Sequence, residues 1–138
     1  MSETALLPPN SAGIDAALDI LRAGGTVAFP TETVYGLGAD ATRDTSVAKI
    51  FGAKDRPQFN PLIVHVADIA ALRALVEVPK AAEPFLPLFP GPLTMVLPRR
   101  ANSAISTLVS AGLDTLAIRI PAHAVAKALL SAFGGPLA

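Results

Sequence analysis

Apolar positions along this chain switch repeatedly between a helical and a strand-like period. Ile14, Leu18 and Leu21, with Ala17 on the same stripe, have the spacing of one helix face. Ser11 reads as the N-cap of that helix and Gly24-Gly25 as its stop. Thr26 to Phe29 then reads as a strand, and Pro30 to Ala41, PTETVYGLGADA, as a loop. Thr45 or Ser46 can cap a helix over Val47, Ile50 and Phe51 that ends in Lys54-Asp55-Arg56, before Pro57. The run Leu62 to Val66 is strongly strand-like, and Asp68 caps a helix through Ile69, Leu72 and Leu75 or Val76. Prolines 79, 84, 87, 90 and 92 break up regular structure, leaving room for a short helix around Ala81 to Leu86. Leu93 to Leu97 predicts a strand, Ser103 to Val109 a short helix, Thr115 to Ile120 a strand, and Ala122 to Phe133 a helix stopped by Gly134-Gly135.

Strands that alternate with helices predict an α/β class. Without repeats or a linker, residues 1–138 read as one domain, and a chain of 138 residues is long enough for one real core. Pro136-Leu137-Ala138 reads as the entrance to another strand, so the domain is expected to be incomplete at its C-terminal end. Hydrophobic residues make up 51% of the chain, yet no stretch approaches the roughly eighteen that a membrane span needs. Met1 to Asn10 carries neither the basic flank nor the apolar core of a signal peptide. The chain has no cysteine, which excludes disulfides and thiolate metal sites and is compatible with a cytoplasmic location. Eleven basic and eleven acidic residues cancel, so there is no global pull toward nucleic acid. A mild local excess lies after Pro84, where Arg99, Arg100, Arg119 and Lys127 face Asp114 alone; Arg99 and Arg100 read as solvated surface.

Standard chemical templates mostly fail. The chain has no GxxxxGK[ST] loop and no GxSxG elbow. His65 and His123 are far apart and belong to no HExxH, which argues against a protein-held transition metal. Gly36-Leu37-Gly38-Ala39-Asp40-Ala41 fits GxGxx(G/A), with Asp55 downstream, but Pro30 to Tyr35 separates it from the preceding strand and polar residues follow it. Those flanks speak against a dinucleotide loop.

Three other places carry chemistry. In the strand at 115–120, alternation puts Thr115, Ala117 and Arg119 on one face and Leu116, Ile118 and Ile120 on the other. An arginine there needs an anion, either a ligand's or a structural carboxylate's, and small Ala117 leaves room for a ligand. His65 shares a face with Ile63; alone, it reads as a satisfied core histidine. Lys54 and Arg56 sit where cations complement a helix dipole, but as a pair before an extended Pro57-to-Pro61 segment they can also clamp a polyphosphate.

Together, PTETVYGLGADA, KDRPQFNPLIVHV, PGPLTMVL and LDTLAIRIP, in this order, resemble the YrdC/YciO family, and most closely its threonylcarbamoyl-AMP synthases, over about Ala12 to Ala138. The resemblance implies a twisted mixed sheet with flanking helices around a concave, positively lined cavity. It implies a nucleotidyltransferase that joins L-threonine, bicarbonate or carbon dioxide, and ATP into threonylcarbamoyl-AMP and diphosphate, with Mg2+ carried by the ATP. A downstream transfer complex would then modify adenosine 37 of tRNA to t6A. Position by position, Thr33, His65 and Arg119 match threonine contacts, and Lys54, Arg56, Asn60 and Thr115 match ATP contacts. Tyr35 matches a pocket-lining position, and no covalent nucleophile is implied. The family's Ser-x-Asn motif would follow Ala138, so weak or absent synthesis is expected of this 138-residue species. Two alternatives stay open: a YrdC-like RNA-binding module, or a YciO-type paralogue without this activity. A third, the carbamoyl-transfer domain of hydrogenase maturation proteins, lacks its usual acylphosphatase-like and zinc-finger segments here.

Overall fold

The computed structural model describes residues 4–57 and 60–138; Gln58 and Phe59 of the predicted extended segment lie outside the described residues, as do Met1 to Glu3. The order of elements is α1 (Ser11–Arg22), β1 (Val27–Phe29), β2 (Gly36–Gly38), α2 (Asp44–Lys54), β3 (Ile63–His65), α3 (Ile69–Leu75), a 3-10 helix (Glu83–Leu88), β4 (Met95–Pro98), β5 (Thr115–Arg119) and α4 (Ala124–Phe133). The α/β class expected from the pattern is what forms.

Two small sheets carry the strands. β1 and β2 form an antiparallel pair, and β3-β5-β4 form a mixed sheet in which β5 runs parallel to β3 and antiparallel to β4. The last three residues join them. Leu137 bridges His65 on one side and Asp40 on the other, and its N–H and C=O exchange hydrogen bonds of 3.0 and 2.7 Å with His65. On the opposite edge Ala138 exchanges bonds with Ala39, and the Ala41 N–H donates to the Pro136 carbonyl. Pro136–Ala138 thus already pairs as a strand with neighbours on both sides.

Two cores lie on opposite faces of this composite sheet. One gathers Val47, Ile50 and Phe51 of α2 with Val64, Leu72, Leu97, Leu116 and Ile118. The other packs Ala17, Leu18 and Leu21 of α1 and Ala126, Leu129 and Leu130 of α4 onto Phe29 and Leu137. This second core includes no residue of β4 or β5, so α1 and α4 cover only one side of their face. The rest of that face, with Ile63, Val96, Thr115 and Ala117, stays open; Val96 is 65% exposed.

Several local expectations need correction. Asn10, not Ser11, caps α1 by accepting from the Gly13 N–H at 3.0 Å, because only its carboxamide sits one residue before the first helical turn. Neither Thr45 nor Ser46 caps α2, whose N-cap is Arg43 and whose first turn opens with Asp44. Asp68 does cap α3, accepting from Ala71. No helix forms over Ser103–Val109: the Ser103 and Ser106 hydroxyls accept from the Ile105 and Leu108 N–H groups and hold the chain in turns. Gly36–Gly38 is a strand rather than loop. A Cβ on Gly38 would stand 2.6 Å from Phe29 Cε1, so this glycine exists for strand packing, and the dinucleotide reading falls.

Leu137 has no exposed surface and lies in the core beneath α1 and α4. Leu137→Ala is expected to cost about 2–5 kcal/mol in urea denaturation; a loss under about 1 kcal/mol would show that this seam does not hold the sheets together.

Candidate functional site

β5 places the key cation. Its five residues alternate so that Leu116 and Ile118 enter the first core while Thr115, Ala117 and Arg119 face the other way. Parallel pairing sets His65 directly beside Arg119 and Ile63 beside Ala117. Arg119 and His65 therefore stand where the cover of α1 and α4 ends and the open face begins.

The loop between β1 and β2 closes over Arg119. The Arg119 Nη1 donates to Thr33 Oγ1 at 3.2 Å, and Nη2 forms an ion pair with Glu32 Oε1. The other Glu32 oxygen accepts from the Ala122 N–H in the turn leading to α4. Thr31 braces the loop, donating to the Val34 carbonyl at 2.6 Å and lying 3.1 Å from the Thr33 hydroxyl. The Arg119 side chain is only 11% exposed and the Glu32 side chain 20%, although the Glu32 backbone lies at the surface. Burial lowers the Arg119 pKa, but a guanidinium begins so far above neutrality that it stays charged.

Two buried polar atoms in this cluster have no partner: Arg119 Nε and His65 Nδ1. His65 also meets Phe29 edge-on, with ring centroids 5.7 Å apart. Desolvation pushes its pKa below the ordinary 6.5, while an interaction with the Ile63 backbone pulls weakly the other way without an ordinary hydrogen bond to Nδ1. His65 is thus neutral at pH 7, with Nδ1 enclosed and unpartnered.

Sequence reasoning treated Thr33, His65 and Arg119 as one group, and the fold brings these three together. It overlooked Glu32, which lies 87 residues from Arg119 in the chain. The only signal was the general requirement that a buried arginine have an anion; nothing in the pattern said which. Tyr35 lies beside the cluster in sequence, 73% exposed at the lip of the loop.

Of the nucleotide candidates, Arg56 and Thr115 lie toward the other end. Arg56 turns back on its own loop, Nε donating to the Asn60 carbonyl at 3.4 Å and Nη2 to the Pro61 carbonyl at 2.7 Å. Pro61 lies two positions before Ile63, at the end of the sheet where Thr115 begins β5. Lys54 is exposed in the last turn of α2, and Asp55 then takes a left-handed conformation, φ 48°, that redirects the chain toward Arg56. Four steps along the strand carry the chain from Thr115 to Arg119, about 13 Å at the usual rise. Between them the open face is floored by Ala117, Ile63 and Val96. A groove lined by Val66, Asp68, Leu130, Ser131 and Pro136 opens elsewhere, between α3 and the end of α4, and includes none of these residues.

The depressed pKa of His65 has a sign that can be measured. Its contribution to stability is complete above pH 6.5 and is lost as pH falls below that value. The melting temperature should therefore drop between pH 7 and pH 5, and His65→Gln should flatten this slope. Parallel slopes for the two proteins would mean that His65 is not held neutral by the fold.

The Sua5/YciO/YrdC family profile, described as "Telomere recombination", matches residues 19–138. The chain is 48% identical over 134 residues to a threonylcarbamoyl-AMP synthase of Bacillus subtilis, covering 96% of this chain and 38% of the relative. It is 46% identical over 127 residues to a threonylcarbamoyl-AMP synthase of Pyrococcus abyssi, covering 91% of this chain and 37% of the relative. Among solved structures, Pyrococcus abyssi Sua5 complexed with L-threonine superposes with a TM-score of 0.87 at 44% identity, over 93% of this chain and 38% of that one. The chain thus spans less than two-fifths of the length of these relatives. Its fold, the order of its motifs and the match across residues 19–138 agree: this chain belongs to the Sua5/YciO/YrdC family.

Proposed function

We propose that this chain carries the substrate-binding face of an L-threonylcarbamoyladenylate synthase. The observation that carries the reading is the cluster of Arg119, Thr33 and His65 at the closed end of an open sheet face, with two buried polar atoms left unpartnered. An amino acid's carboxylate would accept from the Arg119 Nη N–H groups that Thr33 and Glu32 leave free, and its hydroxyl or amine would approach Thr33 and His65. The relative solved with L-threonine, at 44% identity, supports threonine as that amino acid.

ATP would lie along the rest of the face. Thr115 stands about 13 Å along β5 from the amino-acid end, Arg56 is held by the Asn60 and Pro61 carbonyls toward the Thr115 end, and Ile63, Ala117 and Val96 offer an apolar floor between. Lys54 and Arg56 add positive charge there to neutralise phosphates. The reaction begins with threonine's amine and bicarbonate or carbon dioxide forming a carbamate. The carbamate oxygen attacks the α-phosphorus of ATP, and diphosphate leaves. Such a step needs positioning and charge stabilisation rather than a covalent nucleophile. Magnesium would arrive on the phosphates of ATP. The product would serve tRNA t6A37 formation through a separate transfer complex. Among the described residues no helix is long and apolar enough to cross a membrane.

Calorimetric titration of this chain with L-threonine should show binding that Arg119→Ala weakens at least about tenfold. Diphosphate release from ATP should require both L-threonine and bicarbonate. Release that ignores threonine would sink the reading.

A further inference from the structure

We infer that Glu32 determines specificity: its carboxylate balances the charge of Arg119, so the site accepts a zwitterionic amino acid and rejects the same molecule without its ammonium group. The inference rests on the proposal that an amino acid binds at Arg119.

Arg119 contributes one positive charge, Glu32 one negative, and His65, kept neutral by burial, none. Both charged side chains are largely out of water, at 11% and 20% exposure. A plain carboxylate would bring one uncompensated negative charge into this half-buried cluster, where desolvation is costly and water screens little. A zwitterion brings none. Its carboxylate and ammonium are a fixed short distance apart, as are the guanidinium and carboxylate of the pair.

The donor and acceptor count agrees. The guanidinium has five N–H groups; Thr33 and Glu32 engage one on each Nη, and Nε remains buried without a partner. Each Glu32 oxygen can accept twice, and the bonds to Arg119 Nη2 and the Ala122 N–H use one position on each. The remaining lone pairs are acceptors for an ammonium. The bond to the Ala122 N–H also ties the loop to the turn before α4, so Glu32 cannot leave Arg119 without breaking a second contact.

The test compares L-threonine with (R)-3-hydroxybutyrate, which is threonine without its amine, by calorimetric titration of the wild-type chain, Glu32→Gln and Glu32→Asp, each checked for folding by thermal denaturation. The wild type should favour L-threonine by at least about tenfold. In Glu32→Gln the ratio should fall to about threefold or less, chiefly because the analogue gains affinity from an unbalanced Arg119. Glu32→Asp, which keeps the charge, should restore the ratio. An unchanged ratio in Glu32→Gln, or equal losses for both ligands, would overturn the inference and leave Glu32 as a support for Arg119. Should Glu32→Gln fail to fold, the wild-type ratio decides alone: equal affinities for the two ligands overturn the charge balance while leaving amino-acid binding intact. A wild type that binds neither ligand removes the amino-acid reading, and the inference with it.

Discussion

The main chain of Leu137 holds the architecture together. Its N–H and C=O pair with His65, and its neighbours pair with Ala39 and Ala41, so one short segment is the shared edge of two otherwise separate sheets. Backbone groups at a sheet edge cost free energy if buried unpaired, and here both edges would be buried beneath α1 and α4. The side chain of Leu137 completes the core under those helices, while Ala138, the next residue, turns to the core on the opposite face. Period-two alternation lets the same tripeptide seal both layers.

That seam also places the chemistry. His65 is fixed on one side by Leu137 and on the other by Arg119, its register partner in β5. Because α1 and α4 pack over the seam and not over β4, the sheet face divides into a covered side and an open side. The polar cluster occupies the boundary. There the dielectric is low enough for a single charge to matter. A cation placed further under the helices would be sealed in, and one further along the open face would be screened by water.

Arg119 shows how a residue proposed for binding can also be a structural one. The sequence left two anions open for it, a ligand's or the protein's own, and the fold supplies the second. The same holds for Arg56, which could clamp a polyphosphate but spends two nitrogens holding its own loop. In both cases the guanidinium has more donors than its structural partner can use. That surplus lets one side chain hold a loop and keep donors to spare.

Periodicity alone made most of the elements legible, because burying one face of a helix or strand imposes its period on the sequence. The stripe of Ile14, Leu18 and Leu21, the run at Leu62–Val66 and the alternation at Thr115–Ile120 each became what their spacing implied. Caps and short glycine strands were less legible, since a hydroxyl or carboxamide competes locally in ways spacing does not record, and Gly36–Gly38 has no side-chain pattern to read. Four motifs in order identified the family and nominated Thr33, His65 and Arg119. The tertiary structure alone decided that Glu32 would meet Arg119 across 87 residues, and that Pro136–Ala138 would pair on both sides. Those contacts depend on which strands become neighbours, a choice made by the packing of whole layers and not by any local run of residues.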